Sequence, residues 1–216
     1  MKENSRKSRR RQLRDLVASE AAKLLYNGEF REYIDAKRAA AEALKTSILP
    51  SNHEVALKVL EYALEVEGED YWRRLKELRE EALEVMQNLS EFNPRLVGSV
   101  WRGVIKPSSD IDIEVDSEAL EEVKQKIEES GYEILGIERI NVPEPLRYGS
   151  LWRVKIRSRK GHEVEIILKE RSSYLNPPKC DIFGDVKKGL NISELRKVLR
   201  EMPTALFIPE GRRRWR

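Results

Sequence analysis

Apolar positions in the first ninety residues recur at intervals of three and four, the spacing that lines one face of a helix. The run Leu13, Leu16, Val17, Ala21, Leu24, Leu25 predicts a first helix and Ala36, Ala39, Ala40, Ala43, Leu44 a second. A turn at Asn27-Gly28 separates them, and Pro50 ends the second. Ser51 followed by Glu54 is a capping-box pattern; it opens a third helix carrying Val55, Leu57, Val59, Leu60, Ala63 and Leu64 before Gly68 breaks it. A fourth helix is predicted from about Tyr71 to Leu89, with Leu75, Leu78, Ala82, Leu83, Val85, Met86 and Leu89 inside and its Arg, Lys and Glu side chains outside.

After Pro94 the period shortens. Arg95–Trp101, Ile111–Val115, Tyr132–Ile140, Leu151–Arg157 and Glu163–Leu168 are rich in Val and Ile, alternate in places with period two, and read as short strands. Arg159-Lys160-Gly161 predicts a hairpin turn between the last two. A helix from about Glu118 to Ser130, closed by Gly131, lies between the second and third strands, and Asn191 with Glu194 caps a last helix through about Glu201. The expected fold class is α+β: a helical N-terminal region over residues 1–92, then a small mixed β-sheet with flanking helices over 93–216.

Composition narrows the classes. The chain has 216 residues, 40% hydrophobic and 37% charged, enough apolar material to exclude disorder throughout and enough length for one or two cores. The charge excess, with few amides, resembles the surface of a thermophile's protein. No stretch approaches the ~18 uninterrupted apolar residues of a membrane span, and no apolar run follows the basic start, so a cytoplasmic location is expected. One cysteine, Cys180, and two histidines, His53 and His162, leave metal chemistry to carboxylates and therefore to hard cations. Net charge is only +3, yet positive charge concentrates at the ends. Lys2, Arg6, Lys7, Arg9, Arg10, Arg11 and Arg14 open the chain, and Arg212, Arg213, Arg214, Trp215 and Arg216 close it. Approach of these ends to a polyanion such as RNA, with Trp215 stacking on a base, stands level with a solvated tail as their reading.

The chemistry concentrates in GSVWRGVIKPSSDIDIEV, residues 98–115. Gly98-Ser99 ends a strand, a polar turn with Gly103 and Pro107 follows, and the chain re-enters a strand at Ser109-Asp110-Ile111-Asp112-Ile113. Alternation projects Asp110 and Asp112 from one face and sends Ile111 and Ile113 to the core. Two carboxylates about 4 Å apart repel by ~4 kcal/mol at an effective dielectric of 20, so a half-buried pair takes up a proton or holds a cation, with Mg²⁺ the natural occupant. Glu163 and Glu165 share one side of a later strand, and Glu165, beside its most apolar part, is preferred as a third acid. Glu114 and Asp116 fall on the same acidic face and are read as solvated or ion-paired.

Gly98-Ser99, the ten-residue turn, Asp110-Ile111-Asp112 and the later Val164-Glu165-Ile166-Ile167 together resemble the polymerase-beta-like nucleotidyltransferase superfamily. Ser99-Val100-Trp101-Arg102-Gly103 is also similar to the segment following Gly-Ser in the archaeal CCA-adding branch. The resemblance covers about residues 90–170. It implies a nucleotidyltransferase-type sheet and Mg²⁺-dependent transfer of a nucleoside monophosphate from an NTP, ATP or CTP, to an acceptor hydroxyl, with release of pyrophosphate. Asp110, Asp112 and Glu165 would be the catalytic and metal-holding acids, and Gly98, Ser99, Arg102 and Ser109 the phosphate ligands. RNA reached through the basic ends is one acceptor. A binding protein without turnover, and a protein-modifying member of a toxin–antitoxin pair, are the other classes. Trp101 is the aromatic best placed to meet a base, His162 reads as an exposed turn residue, and Lys187-Lys188 as a surface pair.

Overall fold

The computed structural model describes residues 2–144 and 146–209, with side chains described from residue 8 onward. The C-terminal arginines and Trp215, and the side chains of Lys2, Arg6 and Lys7, lie outside the described residues. The fold is α+β, with eight helices and a six-stranded mixed sheet among the described residues. No helix there is long and apolar enough to cross a membrane.

The chain divides into two compact units. The first holds the residues up to Tyr71, with Val104–Ser108 and Asp181–Phe183. Its helices are α1 (Lys2–Tyr26), α2 (Tyr33–Ala43) and α3 (Asn52–Glu67). The capping box forms: Ser51 Oγ accepts from the Glu54 amide while the Glu54 carboxylate accepts from the Ser51 amide. Of the predicted apolar stripes Val17, Ala21, Leu25, Ala36, Ala40, Val55, Val59 and Ala63 are buried, whereas Leu16 and Ala43 are exposed.

The second unit holds Trp72–Gly103, Ser109–Cys180 and the chain from Gly184 on, so most of α4 (Glu69–Asn88) belongs with the sheet rather than with the helical region. The strands are β1 (Arg95–Val97), β2 (Ile111–Asp116), β3 (Glu133–Arg139), β4 (Ser150–Arg157), β5 (Glu163–Lys169) and β6 (Leu190–Asn191), in the order β3-β4-β5-β2-β1-β6. Only β2 and β5 run parallel; the other neighbours are antiparallel. Ile111, Ile113, Val115, Val154, Ile156, Val164, Ile166 and Leu168 are fully buried on one face, with Val123 and Ile127 of α6 (Leu120–Glu129) also in the core. The capping box at Asn191 and Glu194 starts α8 (Ile192–Glu201), and α7 (Arg171–Leu175) follows β5.

Two expectations change here. The strand predicted over Arg95–Trp101 ends at Val97, because Gly98 turns the chain at φ +68° and α5 (Gly98–Arg102) begins, closing at Gly103 with φ +77°. Secondly, not every charged residue of α4 lies outside. Arg79 is fully buried, its guanidinium donating to the carbonyls of Val100, Trp101, Pro203 and Ala205. Glu81 is buried too, accepting from Ser158 Oγ and lying 2.8 Å from His162 Nδ1, which makes His162 a tether of the β4–β5 turn.

Candidate functional site

Strand register assembles the acids. In the parallel pair, Ile111, Ile113 and Val115 stand beside Val164, Ile166 and Leu168, so core residues match core residues. The intervening residues take the opposite face, and Asp112 stands beside Glu165. Extending that register back by one residue sets Asp110 beside Glu163. One carboxylate oxygen each from Asp110, Glu163 and Glu165 lies within 4.8 Å of the others, a group of three hard donors able to hold a metal ion. Glu163 thus joins the group in which Glu165 alone was preferred.

Asp112 lies against the glycine turn. Its register partner on β1 is Val97, and a Cβ built on the next residue, Gly98, would stand 1.8 Å from Asp112 Oδ2. Positive φ and this contact together make position 98 a glycine, since any side chain would occupy the carboxylate's place. Asp112 keeps part of its surface open, while its carboxyl is set deep enough that desolvation, then the nearby charges of Asp110, Glu165 and Glu114, push its pKa from 3.8 up to about 8. Lys187 opposes the shift, so one lysine of the supposed surface pair acts on the site. Asp110 is raised as well, by desolvation first and Glu165 second. Raised carboxyls side by side are the signature of anions gathered without enough opposite charge.

Opposite charge comes from β4. Lys155 is the antiparallel partner of Glu165, and its Nζ lies 2.8 Å from Glu163 Oε1 and 2.9 Å from Glu165 Oε1. Hydrogen bonds to Glu163 and Glu165 hold the Lys155 ammonium well above its ordinary range. Arg153 Nε stands 3.1 Å from Glu165 Oε2, and a guanidinium nitrogen reaches Glu138 at 3.3 Å. Farther along the face Lys169 pairs with Glu114 at 3.4 Å and Arg171 with Asp116 at 2.7 Å, the ion-paired roles expected of both acids.

The hydroxyls of Ser99 and Ser109 meet at 3.2 Å, closing the ten-residue turn across its mouth. Arg102, expected as a phosphate ligand, makes its contacts within the fold. It is buried and grips Asp185 with two nitrogens at 2.9 and 2.6 Å, and donates to the Phe207 carbonyl at 2.7 Å. Its guanidinium also covers the Trp101 ring at 3.9 Å, and Trp101 stacks against Phe207 at 6.5 Å, so both aromatics are structural supports of the turn. Arg79 is the support that sequence reasoning missed: on a helix rich in exposed charge it carries no distinguishing signal. Lys155 was equally silent, since its role depends on which strand neighbours β5.

Comparison with known protein families gives no match, and comparison with curated proteins gives none either.

Proposed function

We propose that the protein is a Mg²⁺-dependent nucleotidyltransferase that moves a nucleoside monophosphate from an NTP to an acceptor hydroxyl, RNA being the acceptor that the basic ends suit. The observation that carries this reading is the gathering of Asp110, Asp112, Glu163 and Glu165 on one face of the parallel pair, with Gly98 pressed against Asp112 and two serine hydroxyls nearby. An all-oxygen carboxylate set whose Asp pKa values are raised by burial first and by mutual repulsion second fits a hard divalent ion, which would offset both.

Asp110, Glu163 and Glu165 would hold that ion, which would supply charge neutralisation to the triphosphate and acidity to the acceptor hydroxyl; Asp112, expected among the ligands, stands beside Glu165 but outside this converging group. Gly98 lets the backbone come close to phosphate oxygens, and Ser99 and Ser109 offer hydroxyl donors to them. The acceptor oxygen bonds to the α-phosphorus, the bond to the bridging oxygen breaks, pyrophosphate leaves, and the hydroxyl proton passes to the Glu165 carboxylate. Arg102, Trp101 and Arg79 hold the turn in place.

The test is incubation of the full chain with each labelled NTP, Mg²⁺ and total RNA, alongside Asp110→Asn. Labelled RNA and pyrophosphate release from wild type but not from the variant are expected. No transfer from any NTP to RNA, protein or small-molecule hydroxyls overturns the reading.

A further inference from the structure

We propose that Lys155 is the resident counter-ion of the acidic cluster and that a divalent ion enters by exchange with its ammonium. The inference rests on reading the cluster as a metal site, and it adds what controls that site's affinity before substrate arrives.

Position carries the argument. Lys155 Nζ sits between two carboxylates of the cluster, 2.8 Å from Glu163 and 2.9 Å from Glu165, on the oxygens of groups that come within 4.8 Å of Asp110. A metal bonded to the same carboxylates, at about 2.0–2.1 Å for Mg²⁺, would lie beside the ammonium, and the two cations repel. One of them must leave. Lys155 is able to, with its side chain 38% exposed and its charge at the end of a four-carbon stem that swings into water. Lys169 offers the contrast, because its side chain is only 2% exposed and its pair with Glu114 is locked inside the sheet face. Arg153 Nε lies 3.1 Å from the other Glu165 oxygen, so that carboxylate keeps a cationic neighbour when the lysine departs. The charged groups facing Lys155 are Asp110 ahead of β2, Glu163 and Glu165 on β5, and Arg153 on its own strand, while its β3 partner is the uncharged Gly136.

A site that already holds a cation binds metal weakly until something else takes the ammonium's charge. Removing the ammonium therefore tightens metal binding, the reverse of what loss of a structural ion pair or a ligand does.

Mn²⁺ titration of the nucleotide-free full chain, with free ion followed by electron paramagnetic resonance, reads this directly. Lys155→Gln and Lys155→Met should bind Mn²⁺ at least about tenfold more tightly than wild type, Lys155→Arg within about threefold of it, and Glu165→Gln more weakly. The methionine keeps the aliphatic stem packed, and circular dichroism establishes that each variant is folded. Binding by wild type with unchanged or weaker binding in both neutral variants overturns the role of Lys155 and leaves the metal site standing. Binding by none of the forms into the millimolar range removes both.

Discussion

Replacing Asp112 with Asn should make the protein more stable while removing the proposed transfer activity. Asp112 titrates at about 8 in the folded chain against 3.8 in its ordinary state, and each unit of such a difference corresponds to about 1.4 kcal/mol. The sign follows from which state prefers the proton. A carboxyl whose folded pKa is raised costs nothing below pH 3.8, costs progressively more as the unfolded chain ionises, and reaches its full cost above about pH 8. At pH 7 the folded carboxyl still carries its proton, and the accumulated cost is on the order of 4 kcal/mol. Asn has nearly the same shape and never ionises, but its amide must also be desolvated, so a net gain of about 2–4 kcal/mol at pH 7 is expected. For a chain of this size that raises the melting midpoint by roughly 4–16 °C. The assay is urea unfolding in EDTA at pH 5, 6, 7 and 8. The wild type should lose about 1.4 kcal/mol per pH unit relative to the variant across this window. Mg²⁺ should then stabilise the wild type more than the variant, because only the wild type offers an ionisable carboxyl there. A variant less stable than wild type at pH 7, or one whose stability falls with pH just as steeply, would refute the burial of charge on which the site is built.

Other outcomes follow from the same geometry. Gly98→Ala should cost about 2–4 kcal/mol, from positive φ and collision with Asp112, and adding Asp112→Gly should recover part of it in a double-mutant cycle by denaturation. Arg79→Met strands the carbonyls of Val100, Trp101, Pro203 and Ala205, and a loss of about 3–5 kcal/mol in thermal unfolding is expected. Arg102→Lys breaks the two-pronged grip on Asp185 and should lower stability by about 1–3 kcal/mol while leaving nucleotide affinity, measured by equilibrium dialysis, unchanged. A nucleotide affinity that falls more than about tenfold in Arg102→Lys would return that residue to the phosphate site.

Local rules made much of this molecule readable from its residues. Both capping boxes, at Ser51 with Glu54 and at Asn191 with Glu194, need only neighbours in the chain, and both helices begin where those neighbours put them. Strands β2, β4 and β5 were legible because Val and Ile alternate with charge along them. Val100 and Trp101 misled, since two apolar residues after a strand extend its pattern while the turn depends on the conformation of Gly98. The long-range pairings left no local trace. Alternation placed Asp112 and Glu165 each on a polar face, but only the register of β2 against β5 sets them side by side and gives Glu163 a place next to Asp110. Likewise Arg79 read as a surface cation and Arg102 as a phosphate ligand, because nothing nearby in sequence announces carbonyl acceptors over a hundred residues away.

Those distant carbonyls also bear on how the protein is made. Pro203, Ala205 and Phe207 leave the ribosome about a hundred residues after the glycine-bearing loop whose back they brace. Until then Arg79 and Arg102 lack several of the oxygens that anchor them, so a nascent chain can complete its sheet while the loop at its mouth stays unbraced. Bracing of the glycine turn in this way waits until residue 207 has been added, and a truncation ahead of residue 207 would be felt at Gly98.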